Sequence, residues 1–375
     1  MKRIVVASDS FKGSLTSLQV AGALEQGIHD VFPSCEVVKV NVADGGEGTM
    51  DALADALGGR TVPVQVHDPL CRPVTARYVI VDGGQTAVIE MSVASGLTLL
   101  KPDERNPMNT STFGTGELVA DALHRGCRRF LIGIGGSATN DAGMGMLSAL
   151  GVRFLDQDGK VLDGIGRNME NVADIDLGEM APEIYDSEFI VACDVASPFC
   201  GPDGAAYVFA PQKGADSQMV GFLDRGMSHL AEVVLRVTGR DIADVSGAGA
   251  AGGLGGAFLA FMDARLERGV DMVLDALGFD SIIEGADLVI TGEGRIDAQT
   301  MTGKTPYGVL QRALAHRVPA LAVGGSVDLK NVGYIKGFEH IVQATPEGMA
   351  LSEAMKPETA AANIRLAIST LLRSL

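Results

Sequence analysis

Ile4-Val5-Val6-Ala7, followed closely by Asp9-Ser10-Phe11-Lys12-Gly13-Ser14, decides the fold: an apolar strand delivers the chain into a polar, glycine-bearing turn. The arrangement recurs. Val37–Val42 runs into Asp44-Gly45-Gly46-Glu47-Gly48-Thr49, and Leu288-Val289-Ile290 runs into Thr291-Gly292-Glu293-Gly294-Arg295-Ile296-Asp297. In open α/β sheets ligands bind beyond the carboxyl ends of the strands. Glycines there let backbone N–H groups approach a ligand, and carboxylates suit metal binding or proton transfer rather than packing. The pattern points to an enzyme.

Between the first two strands, Thr16 and Gln19 form a capping box, Leu15 is placed to staple onto Val20, and Val20, Ala21, Leu24 and Ile28 share one helical face. Residues 4–42 therefore read as β–α–β, with a helix over Thr49–Leu57. The alternation resumes near the end of the chain. Leu288–Ile290 reads as a strand, Pro306–His316 as a helix, Ala320–Val323 and His340–Val342 as strands, and Ile364, Ala367, Ile368, Leu371 and Leu372 as one stripe of a last helix. Five strands split between the two ends of the chain make one doubly wound parallel sheet, so the middle is an insertion. The expected domains are 1–59 with 280–375, and an inserted mixed α/β domain over 60–279.

Within the insertion, Thr61–Val66, Ala76–Val81 and Thr86–Met91 read as antiparallel strands separated by Pro- and Gly-bearing turns. Further on come a helix near Glu117–His124, the strand Phe130–Ile134, a helix near Gly143–Leu150 and the strand Phe189–Cys193. Val220, Leu223, Met227, Leu230, Val234 and Val237 recur at helical spacing, which is core packing rather than a cofactor site. Residues 156–187 read as loop with short helices.

The 375 residues are 46% hydrophobic with 48 glycines, so the chain is globular and turn-rich. A formal charge of −17, with no cluster of Lys and Arg, excludes a nucleic-acid partner. Cys35, Cys71, Cys127, Cys193 and Cys200 form no C-x-x-C pair, so neither a zinc site nor a redox motif is written. There is no signal-peptide pattern and no apolar window long enough for a bilayer, so a soluble, cytoplasmic protein with no membrane partner is expected. The sequence sets no oligomeric state, and a homodimer is compatible with it.

Three glycine motifs invite nucleotide readings. Gly247-x-Gly249-x-x-Gly252 lacks a convincing strand before it. Gly133-x-Gly135-x-x-Ala138 follows Phe130–Ile132 and makes the best case for a nicotinamide cofactor, hence for an NAD-dependent hydroxy-acid dehydrogenase as the alternative class. It continues, however, as Ser137-Ala138-Thr139-Asn140-Asp141, whose hydroxyls and acid suit phosphate and metal. Gly303-Lys304-Thr305 has the tail of a P-loop, but Ala298 stands where its first glycine belongs. The six histidines avoid the glycine-rich loops and G-x-S-x-G is missing, which removes a Ser–His–Asp hydrolase. A non-catalytic acid sensor would leave the acidic loops without purpose.

The polar groups collected in these loops are mostly carboxylates with a few Lys and Arg. That mix matches phosphoryl transfer, in which catalysis is mostly positioning, charge neutralisation by Mg²⁺ and one base for the acceptor hydroxyl. Asp9–Ser14, Ala43–Thr49 and Gly133–Gly145 (GIGGSATNDAGMG) resemble the type 1 glycerate kinase family. So do Ala192–Val195, Val208–Ala215 (VFAPQKGA), Gly247–Gly255 and Thr291–Thr305 (TGEGRIDAQTMTGKT), in family order along nearly the whole chain. Ser197 departs from the Asn often found there, a change that leaves Asp194 in place.

The resemblance implies a flavodoxin-like sheet domain carrying an inserted α/β domain. It also implies ATP- and Mg²⁺-dependent phosphorylation of D-glycerate, with 2-phosphoglycerate favoured over 3-phosphoglycerate as product. On that reading Lys12 neutralises charge on the transferring phosphoryl group and Asp194 is the base toward the glycerate hydroxyl. Glu293 and Asp297 hold Mg²⁺, and Gly135, Gly136, Ser137, Thr139 and Asn140 form the nucleotide-phosphate cradle. Arg105 or Arg295 clamps the substrate carboxylate. Asp9 and Ser10 contact substrate, while Asp44 and Glu47 serve either as metal ligands or as glycerate hydroxyl contacts.

Overall fold

A computed structural model describes residues 1–43, 45–46, 48–298, 300, 303–328 and 335–375. The chain divides into two compact units, Met1–Asp44 with Val270–Leu375, and Gly45–Gly269. In chain order the strands are β1 (Arg3–Ser8), β2 (Glu36–Asn41), β3 (Arg60–His67), β4 (Pro73–Val81), β5 (Thr86–Glu90), β6 (Arg129–Gly133) and β7 (Arg153–Leu155). They continue with β8 (Asp174–Asp176), β9 (Glu188–Ala192), β10 (Arg265–Glu267), β11 (Leu288–Ile296), β12 (Ala320–Val327) and β13 (His340–Gln343).

The first unit is built on a five-stranded sheet ordered β2-β1-β11-β12-β13, parallel throughout. Counted within the unit this is the 2-1-3-4-5 order of flavodoxin-like folds, whose switch point lies between β1 and the strand after β2. Here that is the β1–β11 boundary. Ile4, Val5, Val6 and Ala7 are fully buried, because a central strand is covered on both faces. The capping box is formed: the Gln19 N–H donates to Thr16 Oγ1 at 3.3 Å and the Thr16 N–H to Gln19 Oε1 at 2.9 Å. It starts the helix Ser17–His29, which packs Leu24 and Ile28 against Ile364 and Ile368 of the helix Pro357–Ser374 over one sheet face. Gly27 permits that approach, since a Cβ there would come within 2.4 Å of Ile368.

The second unit carries a six-stranded sheet ordered β10-β9-β6-β5-β4-β3. β3, β4 and β5 are antiparallel neighbours, whereas β5, β6, β9 and β10 run parallel. β7 and β8 make a small antiparallel pair, and β8 lies within the stretch 156–187 that reads from sequence as loop with short helices. The amphipathic helix is present over Ser217–Thr238 and buries Val220, Leu223, Met227, Leu230 and Val234 as core. Among the described residues no helix is long and apolar enough to cross a membrane.

The junctions between units fall earlier than the sequence suggested, for local reasons. The helix Thr49–Leu57 goes with the second unit: the Met50 N–H donates to Glu90 Oε1 of β5 at 2.9 Å, and Asp51 pairs with Arg77 of β4 at 2.9 Å. The helix Gly269–Ala276 goes with the first, where Val270 fills the space left by Gly308 and Arg312 reaches Asp275 at 2.6 Å and Asp280 at 3.0 Å.

Candidate active site

At the β1–β11 switch point of the first unit, the turn after β1 and the end of β11 open onto one cleft of about 720 Å³. Asp9, Ser10 and Lys12 enter it from the turn, and Glu293, Arg295 and Lys304 from the other side. The turn is braced to its neighbour, with the Asp9 N–H and Ser8 Oγ both donating to the Gly292 carbonyl at 3.0 Å. Asp9 Oδ1 accepts from the Ser10 N–H at 2.6 Å, and its Oδ2 receives the Thr305 hydroxyl at 3.4 Å.

β11 departs from the expected short strand. It runs on through Glu293-Gly294-Arg295-Ile296, pairing Glu293 with Gly324 and Arg295 with Ser326 of β12. The glycines make this closeness possible: a Cβ on Gly292 would lie 2.3 Å from the Val323 carbonyl. Strand alternation places Glu293, 7% exposed, and the exposed Arg295 on one face and the buried Ile296 on the other.

Glu293 is the electrostatic centre of the cleft. Its Oε1 accepts the Thr300 hydroxyl at 2.5 Å and its Oε2 lies 3.6 Å from Lys304 Nζ. Burial pushes its pKa above the usual carboxylate range, the Asp9 charge adds to that, and Thr300 and Lys304 oppose it. Thr300 Oγ1 also accepts the Asp297 N–H at 3.1 Å, so one hydroxyl ties both expected metal ligands together. Asp297 pairs with Arg295 at 3.3 Å. Among the described residues no group of three or more His, Cys, Asp or Glu could hold a metal by itself. Asp44 and Glu47 lie outside the described residues.

The second unit gathers the remaining expected residues at the carboxyl ends of β6 and β9. Ten residues separate β6 from the next helix, Met144–Ala149, which removes the tight strand-to-helix turn that a dinucleotide fingerprint requires. In this loop Gly135 and Gly136 are exposed and Ser137 is half-buried. The Gly136 carbonyl accepts from Leu97 and the Ala138 N–H is taken by the Ser95 carbonyl, both at 2.9 Å. Thr139 and Asn140 are fully buried, with Asn140 Nδ2 donating to the Met227 sulfur at 3.2 Å, so their side chains face the interior.

Asp141, read from the sequence as suited to metal, is buried and structural. It accepts from the Thr112 N–H at 2.7 Å, the Thr112 hydroxyl at 2.8 Å, the Gly145 N–H at 3.1 Å and the Gly143 N–H at 3.3 Å. Burial raises its pKa, and these four donors oppose the rise. Asp194 stands exposed just beyond β9, its Oδ1 accepting the Gly269 N–H at 3.0 Å. Arg105 is half-buried, with no partner for its Nε among the described residues.

One residue of this loop's support went unrecognised. Lys213 is 1% exposed, and its Nζ donates to Ser137 Oγ and to the Thr139 carbonyl, each at 2.6 Å. Burial lowers its pKa to about 7, against the pull of Asp141. The sequence signal was a lone charged residue, Lys213, in the uncharged block Val208–Ala215. A second hollow of this unit, lined by Glu188 and Arg265, opens at the amino ends of β9 and β10, the edge that parallel sheets do not use for ligands.

A flavodoxin-ordered parallel sheet with paired carboxylates and cations at its switch point, and a glycine loop at the strand ends of a second sheet, define a group-transfer enzyme acting on anions. The glycerate kinase family model matches residues 4–375, and the chain belongs to the glycerate kinase family. The chain is 46% identical to the glycerate kinase of Bacillus subtilis strain 168, over 94% of this chain and 93% of that one. It is 42% identical to the glycerate 2-kinase of Escherichia coli K12 over the same shares. The crystal structure of a putative glycerate kinase 2 from Salmonella typhimurium LT2 is similar with a TM-score of 0.90 at 40% identity, covering 100% of this chain and 98% of that one.

Proposed function

We propose that the protein is a cytoplasmic enzyme that transfers the γ-phosphoryl group of ATP to D-glycerate with Mg²⁺, giving 2-phosphoglycerate. The observation carrying this reading is the cleft at the β1–β11 switch point, where Asp9 and Glu293 meet Lys12, Arg295 and Lys304. The name of the Escherichia coli relative supports attachment at the secondary hydroxyl.

Opposed charges of this kind suit a polyphosphate: the cations take phosphate oxygens and the carboxylates take the metal that accompanies them. Glu293 and Asp297 offer hard oxygen donors on one hydroxyl-linked turn. Because Mg²⁺ usually keeps waters and needs only one or two carboxylates beside phosphates, this set fits a metal delivered with the nucleotide. Bound there, Mg²⁺ would supply neutralisation of phosphate charge. Lys12 would bear on the transferring group, and Asp9 and Ser10 would orient substrate.

In the second unit, the backbone amides of Gly135, Gly136 and Ser137 would take phosphate oxygens, while Thr139 and Asn140 hold the loop from its buried side. Arg105 or Arg295 would clamp the glycerate carboxylate as a bidentate partner. Asp194 would accept the proton as the glycerate hydroxyl oxygen bonds to the γ-phosphorus, the bond to the bridging oxygen breaks and ADP leaves. We take the two units as the enzyme's domains. A coupled assay of ADP release tests the reading: consumption of ATP that requires both D-glycerate and Mg²⁺ is expected, and ATP turnover indifferent to glycerate overturns it.

A further inference from the structure

The cleft of the first unit changes character along its length. Its inner end, over β1 and β11, holds five ionisable side chains, Asp9, Lys12, Glu293, Arg295 and Lys304. The wall made by residues 343–364 has a single charged lining residue, Glu347, and two amides, Gln343 and Asn363, and is otherwise built from apolar and small side chains. Ala344, Ala360 and Ile364 form its buried floor, while Met349, Leu351 and Met355 stand around the rim. Leu351 is 76% exposed, an apolar side chain left in water beside a polar cleft. The space of about 720 Å³ lies within the range of cofactor-sized sites and far exceeds what a three-carbon acid fills.

A ligand matched to this cleft has a polyanionic head and a flat apolar body. It also has a polar edge, because Asn363 lines the apolar wall. The Asn363 amide donates to the Met349 sulfur at 3.5 Å, a weak bond that leaves its carbonyl and its second N–H for a ligand. An Asn amide pairs with adenine through one donor and one acceptor side by side. Methionine sulfur and methyl groups adapt well to an aromatic face.

We propose that this apolar arm receives the nucleoside of the phosphoryl donor, with adenine lying against Met349 and Met355 and its edge read by Asn363. The proposal rests on the kinase reading and adds where the base binds and what selects it. Phosphate contacts at the inner end position the nucleotide, and the apolar arm separates ATP from a nucleoside-free polyphosphate.

The test uses the full chain with Asn363→Ala and, separately, Met355→Asp, each checked for native circular dichroism. Both sites are solvent-accessible, so the fold is expected to survive. KM is measured for MgATP and for D-glycerate, and Kd for magnesium tripolyphosphate. The proposal expects Asn363→Ala to raise KM for ATP about tenfold, the worth of one or two hydrogen bonds, and to narrow the preference for ATP over GTP. It expects Met355→Asp to raise KM for ATP by at least as much, with tripolyphosphate Kd and glycerate KM unchanged in both variants. An ATP KM equal to the unmodified protein's in both variants overturns the proposal while leaving the kinase reading intact. Failure of the unmodified chain to phosphorylate glycerate overturns the kinase reading and the proposal with it.

Discussion

Replacing Lys213 with Met should flatten the alkaline side of the protein's stability profile. In the folded protein this lysine is out of water, and burial holds its pKa near 7, against 10.5 for an ordinary lysine. Between those two values the unfolded chain binds the proton that the folded chain has lost, so stability rises with pH across this window. At about 1.4 kcal/mol per pKa unit, the gain from pH 7 to pH 9 is about 2 kcal/mol. The Lys213→Met variant keeps the length of the side chain but has nothing to titrate. It also leaves Ser137 Oγ and the Thr139 carbonyl without their donor, a loss of about 1–3 kcal/mol that does not depend on pH. Urea unfolding followed by circular dichroism at pH 7 and pH 9 separates the two effects, since all other titrating groups are common to both proteins. The variant should gain about 2 kcal/mol less than the unmodified protein between pH 7 and pH 9. An equal gain in the two proteins would refute the assignment of that alkaline stabilisation to Lys213.

Other outcomes follow from the site itself. Lys12→Ala and Asp194→Asn should each lower kcat by at least about a hundredfold with circular dichroism unchanged, and near-normal turnover in steady-state assays removes that residue from the chemistry. Glu293 titrates above an ordinary carboxylate because it is buried beside Asp9, and the proposed metal contact needs it ionised. The kcat/KM profile should therefore fall as pH drops through that raised pKa, and Glu293→Gln should abolish this acid limb; a limb that persists in the variant places the titration elsewhere. Gly292→Ala should cost about 2 kcal/mol or more in urea unfolding, because the added methyl meets the Val323 carbonyl at 2.3 Å. Full stability in that variant would mean that β11 and β12 can move apart.

The parallel sheet of the first unit was legible because its strands are short, apolar and followed by turn chemistry. The capping box at Thr16 and Gln19 and the stripe ending in Leu372 fixed the two helices that cover one face. The continuation of β11 through Glu293 and Arg295 was not legible. Glycine and charged residues lack strand propensity, and what keeps the strand going is close pairing with Gly324 and Ser326, a tertiary effect. The unit junctions were misplaced for the same kind of reason, since Glu90 holding the Met50 N–H is a contact across forty residues.

At the site, residue types agree with the structure on exposure for Lys12, Asp194 and Arg295. They misled where burial decides the role. Asp141 resembles a metal ligand in sequence, yet four internal donors occupy it, and Thr139 and Asn140 face inward while the exposed glycines before them stay open. Lys213 shows the converse. A lysine is expected on the surface, and only the fold reveals a buried amine holding a glycine loop in place.

The most direct test of the account is ³¹P NMR of the mixture formed from D-glycerate, ATP and Mg²⁺ by the purified protein. The account predicts stoichiometric ADP and a new phosphomonoester resonance split by the single C2 proton, the signature of 2-phosphoglycerate. Unchanged ATP and glycerate would contradict it, and a resonance coupled to two C3 protons would contradict the proposed position of attachment.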